Sequence, residues 1–66
     1  MKTPKLNMKK VKQLTSKNGV KMVIAKDESG YSVFTKEEWD QGKDFRYPEF
    51  DEIENIGEAI GQAKHY

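Results

Sequence analysis

The sequence predicts an α+β fold: a three-stranded antiparallel β-meander with a C-terminal α-helix packed on one face and a short helical turn near Trp39. Three observations predict it. Two turn-forming stretches, residues 16–19 (Ser-Lys-Asn-Gly) and 27–30 (Asp-Glu-Ser-Gly), separate short runs in which side chains alternate between two faces. Ile53, Ile56, Ile60 and Ala63 fall within one arc of about 80° at helical spacing, the stripe of a helix that covers a sheet. A length of 66 residues leaves room for a single domain, in which stability rests on a small core.

Residues 1–10 carry four lysines with Pro4 and Asn7, a composition that does not bury itself, and read as a basic tail ahead of a domain spanning 11–66. The first strand starts at Val11, with Val11, Gln13 and Thr15 on one side and Lys12 and Leu14 on the other. Asn18 and Gly19 then tolerate the positive φ of a hairpin turn. In residues 20–26, Val20, Met22 and Ile24 share one face while Val23 and Ala25 take the other, the pattern of a strand covered on both sides. Gly30 stands where a left-handed residue closes the second hairpin, and Tyr31 begins the third strand.

Thr35 and Glu38 have the spacing of a capping box and Gly42 is a natural stop, predicting one or two helical turns that carry Trp39 outward from the sheet; a strand running on to Trp39 is the alternative. Phe45, Tyr47 and Phe50 surround Pro48, which lacks an amide donor and favours extended backbone before it, so residues 43–50 read as a loop or an edge strand. Asp51 and Glu54 repeat the capping-box spacing, and the acids lie early and Lys64 and His65 late in the segment, as a helix dipole favours. The C-terminal helix is therefore expected to start close to Asp51.

Several chemistries are set aside by composition. Without cysteine there is no disulfide, no thiolate metal site and no thiol nucleophile. The longest apolar run, Met22 to Ala25, is far shorter than the ~20 residues of a membrane span, and lysines interrupt any signal-peptide core, so a cytoplasmic protein without a membrane role is expected. His65 is the single histidine and has no companion at metal-ligand spacing. Ser16, Ser29 and Ser32 have no obvious base, and pairs such as Glu37 with Glu38 or Asp51 with Glu54 suit capping and solvation better than acid–base work. No glycine precedes a Lys-Ser or Lys-Thr pair, which removes the phosphate-cradling loop. No catalytic residue, metal or cofactor is expected.

Charge is distributed unevenly. Residues 1–26 hold eight lysines and no acid, whereas residues 27–66 hold eleven acids against Lys36, Lys43, Arg46 and Lys64, so +8 is followed by −7 in a chain of net charge +1. All the aromatic residues lie in the acidic part. Trp39, Phe45, Arg46 and Tyr47 fall in the irregular stretch between strand and helix, and exposed aromatics beside an arginine make a protein-binding hot spot. A small, non-enzymatic protein-binding module, acting as a modulator, inhibitor or adaptor, is the expected function. The alternative is a nucleic-acid-binding protein that tracks a phosphate backbone with Lys2, Lys5, Lys9, Lys10, Lys12, Lys17 and Lys21. An acidic inhibitor that imitates a nucleic acid, and self-association through an open strand edge, are further alternatives.

Residues 26–34 (KDESGYSVF) and 56–64 (IGEAIGQAK) resemble the sheet and helix of small HicB-type antitoxin domains. The resemblance covers about half of the chain. It implies a β-hairpin backed by a helix. The proline-rich strand segment of that family is missing, and no separate DNA-binding domain follows the helix within the 66 residues.

Overall fold

The structure is a computed structural model that describes residues 8–42 and 48–66. Four strands, β1 (Lys9–Thr15), β2 (Lys21–Asp27), β3 (Gly30–Thr35) and β4 (Phe50–Ile53), form one antiparallel sheet in the order β1-β2-β3-β4. Helix α1 (Lys36–Gln41) follows β3, and α2 (Ile56–Lys64) follows β4. The meander and the C-terminal helix are as the alternation and the helical stripe predict; the sheet has four strands where the sequence predicts three.

Both hairpin turns form where their residues demand them. Gly19 has φ 81°, and the Ser16 amide donates to Val20 O at 2.8 Å to close the first loop. Ser16 is itself buried, and its Oγ accepts from the Asn18 and Val20 amides, a local staple that the sequence reading did not single out. In the second turn the Asp27 carboxylate accepts from both the amide and the hydroxyl of Ser29. Gly30 is required there twice over. Its φ is 124°, and a Cβ would meet Ile53 O of β4 at 2.7 Å.

The fourth strand exists because Ile53 completes the core beside Tyr31, its cross-strand partner, while the Glu49 amide extends the pairing by donating to Val33 O at 2.8 Å. Asp51 and Glu52 together oppose the single residue Ser32, a bulge in which Glu52 adopts φ 53°. Asp51 and Glu54 therefore belong to a strand and its exit, and the expected capping box around them does not form. Asn55 caps α2 instead, its Oδ1 accepting from the Glu58 amide at 2.8 Å.

Two cores flank the sheet. On one face Met22, Ile24, Val33 and Ile53 meet Ala59 and Ala63 of α2, with Leu14, Val20, Tyr31 and Ile60 at the margin. The two alanines let the helix lie close to the strands. Ile56, which the stripe assigns to the core, is 38% exposed, because it stands at the first position of α2 where the helix overhangs the sheet. On the other face Met8, Val23, Ala25 and Phe34 are buried, with Trp39 of α1 packed against them. Met8 is thus enclosed and β1 starts at Lys9, so residues 8–10 of the segment read as a tail are part of the folded sheet, and its other residues lie outside the described ones.

Three substitutions test this account through urea midpoints followed by the fluorescence of the single tryptophan. Gly30→Ala, which combines a left-handed backbone with a backbone collision, is expected to lower stability by about 2–4 kcal/mol. Gly19→Ala has positive φ but open space and should lose only about 1–2 kcal/mol. Ser32→Ala should raise stability by up to about 1 kcal/mol, and the midpoint with it, because the buried Ser32 Oγ has no hydrogen-bond partner.

Candidate functional site

The expected site residues separate into those the structure describes and those it does not. Phe45, Arg46 and Tyr47, and Lys2 and Lys5 of the lysine set, lie outside the described residues. Trp39 lies within them. The capping box predicted from Thr35 and Glu38 is present, the Glu38 amide donating to Thr35 Oγ1 at 3.1 Å and the Thr35 amide donating to Glu38 Oε1 at 2.9 Å. This turns α1 back over the sheet rather than away from it. Trp39 consequently meets Phe34 edge to face, with ring centroids 5.4 Å apart, and is half-buried. The expectation that α1 carries Trp39 outward is corrected: the indole is part of the second core, with one portion of its surface left to solvent.

Phe50, in the stretch that the sequence reads as a loop or an edge strand, is 39% exposed in β4. It stands between Glu49 and Asp51, close in sequence to the exposed Glu52, Glu54 and Ile56. The signal that marks it is its place in a short edge strand beside a bulge, which only the pairing of β3 with β4 exposes. Glu37 and Asp40 on α1 and Glu58 on α2 are also exposed. Acidic groups thus occupy the β2–β3 turn, α1, β4 and the start of α2.

Lys9, Lys10, Lys12, Lys17 and Lys21 are all exposed and occupy β1, the first turn and the start of β2. The sequence asymmetry therefore survives folding as a difference between the two edges of the sheet, β1 bearing lysines and β4 bearing acids. The C-terminus of α2 joins the lysine side, since the Lys17 amide donates to Lys64 O at 2.8 Å and Asn18 Nδ2 donates to Tyr66 O at 2.9 Å. The first of these bonds satisfies a carbonyl that the helix end would otherwise leave without a partner.

One group of side chains ties three elements together. The Glu38 and Glu49 carboxyl groups share a hydrogen bond, and the Tyr66 hydroxyl donates to Glu49 Oε1 at 3.2 Å. Partial burial raises the Glu38 pKa above the ordinary value of 4.5, the neighbouring Glu49 raises it further, and the Thr35 amide opposes the rise. Tyr66 is likewise held above its ordinary value, first by loss of hydration and then by the charge of Glu49. The interaction of the two carboxyl groups, with the Tyr66 hydroxyl on Glu49, links α1, the entry to β4 and Tyr66. Among the described residues no three His, Asp or Glu side chains converge to hold a metal. No helix among them is long and apolar enough to cross a membrane.

Because Glu38 has a raised folded pKa, folding favours its protonated form. Its contribution to stability is fully present below 4.5 and is lost as the pH rises through the raised value. Glu38→Gln keeps the cap while removing the charge, so its urea midpoint should exceed that of the wild type at neutral pH and converge with it in acid. Equal midpoints at neutral pH would show that the carboxyl pair carries no repulsion.

Comparison of the chain with protein-family models, with curated proteins and with solved structures found no match, so the resemblance of residues 26–34 and 56–64 to HicB-type domains stays a shared hairpin-and-helix pattern, and the functional reading rests on the geometry above.

Proposed function

We propose that this chain is a small, non-enzymatic protein-binding module whose acidic, partly apolar side docks on a basic surface of another protein. The observation that carries the reading is Phe50. A large aromatic side chain lies exposed on a short edge strand, flanked by Glu49, Asp51 and Glu52, with exposed Ile56 at the start of α2. An aromatic anchor supplies apolar area, and the surrounding carboxylates select a partner of opposite charge. Trp39 contributes the part of its indole that Phe34 leaves uncovered, while Phe45, Arg46 and Tyr47 join the proposed surface on the sequence argument alone.

A catalytic alternative finds no support in these groups. The carboxyl pair Glu38 and Glu49 is committed to a helix cap and to Tyr66, and His65 sits exposed at the end of α2.

Affinity capture from a native extract with wild-type and Phe50→Ser protein tests the proposal. The wild type should retain a basic protein, and Phe50→Ser should retain it at least about tenfold more weakly with an unchanged circular dichroism spectrum. Identical capture by both would remove Phe50 from the surface. Trp39→Ala is the less clean probe, because loss of a half-buried aromatic on Phe34 costs about 3 kcal/mol or more of fold stability.

A further inference from the structure

The opposite edge of the sheet carries a separate surface. From Lys9 to Lys26 the chain has six lysines and no acid. Lys9, Lys12, Lys17 and Lys21 are exposed and have no side-chain partner among the described residues, and Lys10 touches only Gln13, at 3.3 Å. The eleven acids of the chain could have neutralised these groups, yet the described acids gather on other elements.

Register makes the arrangement energetically costly for the isolated protein. Lys9 stands directly opposite Lys26, and like charges across an antiparallel pair destabilise it. Lys26 partly escapes by lying over the Tyr31 ring, 5.4 Å from its centroid, while Lys9 has no such relief. The irregularity between Lys10 and Lys12 then divides the lysines between the two faces. Lys10 pairs with Ala25 and Lys12 with the adjacent Ile24, so the two ammonium groups flank the edge from opposite sides. The outer rim of β1 is lined by charge along both of its flanks, and Lys17 and Lys21 continue it around the turn.

We propose that the rim of β1 and the β1–β2 turn bind the phosphate backbone of a nucleic acid, without reading its sequence, through Lys9, Lys10, Lys12, Lys17 and Lys21. An acidic peptide adding as a further strand fits less well, because the interrupted register and the flanking lysines oppose ladder formation along this edge. A phosphodiester chain needs no ladder. It needs closely spaced cations that can shed counterions, which lysines provide as point charges. No aromatic side chain lies on β1 or its turn, so stacking on bases is not provided and sequence preference should be absent. This surface is distinct from the acidic side and does not depend on the protein partner proposed there.

Fluorescence anisotropy with a labelled single strand of about 16 nucleotides, long enough for one site, tests the proposal. Wild-type protein should bind with a Kd of roughly 10⁻⁴–10⁻⁶ M at physiological salt and more tightly at low salt, log K falling with log salt with a slope of about −3, near −0.7 for each of four or five neutralised phosphates. Lys9→Gln with Lys12→Gln should weaken binding and flatten the slope by about 1.4, near 0.7 for each lysine removed. The same double variant should unfold at an equal or higher urea midpoint, since it relieves the pair with Lys26, so loss of affinity cannot be ascribed to loss of fold. Lys36→Gln, whose lysine already pairs with Asp40, should bind as the wild type does. Absence of binding at low salt, or an affinity and slope unchanged in the double variant, would overturn the proposal. Polyglutamate displacing the oligonucleotide from sub-stoichiometric amounts would reassign the surface to an acidic protein.

Discussion

Four consecutive residues of β2, Met22 to Ala25, are buried alternately on the two sides of the sheet, and a 66-residue chain must therefore cover both faces with very little material. This constraint organises the rest of the molecule. Helix α2 lies over one face with Ala59 and Ala63 inward, where larger side chains would lift it from Met22, Ile24 and Val33. The other face receives a six-residue helix, and Trp39 provides the bulk that so short an element otherwise lacks. Met8 fills the remaining space beside Val23 and Ala25, which is why the chain is ordered ahead of its first strand. Burying Phe34 completely contributes about 1.5–3 kcal/mol, a large share of what a domain this size can spare.

Covering the centre twice leaves the edges exposed. Among the described residues β1 and β4 each pair on one side only, and each bears an irregularity in register and a run of like charge. Both are devices that discourage edge-to-edge aggregation. They also separate the charge at the sheet edges: β1 and its turn carry lysines and β4 carries carboxylates, while on α1 Lys36 pairs with Asp40. The C-terminal residues bridge these regions, Tyr66 accepting from Asn18 at the lysine side and donating to Glu49 at the other.

Local chemistry in the chain was enough to place both hairpins, the capping box of α1 and a C-terminal helix, although of the expected stripe only Ile60 and Ala63 meet the sheet from α2. Each depends on residues close together in sequence: Asn18 with Gly19, Asp27 with Gly30, Thr35 with Glu38. The lysine side of the candidate surface was legible for the same reason, since charge per residue needs no fold to be counted. Trp39 was visible as a candidate but its direction was not, because whether a short helix swings toward or away from a sheet depends on what it finds there, namely Phe34.

What tertiary structure alone decided is the region from Phe50 to Ile56. Asp51 and Glu54 imitate a helix start, and Ile53 fits a helical stripe as well as it fits a strand. The outcome turns on Ile53 finding Tyr31 across the sheet, with its carbonyl close against Gly30, which commits Phe50–Ile53 to β4 and moves the helix cap to Asn55. Short-range spacing cannot register that pairing, because its partners lie about twenty residues apart and meet only once the β3 edge has formed.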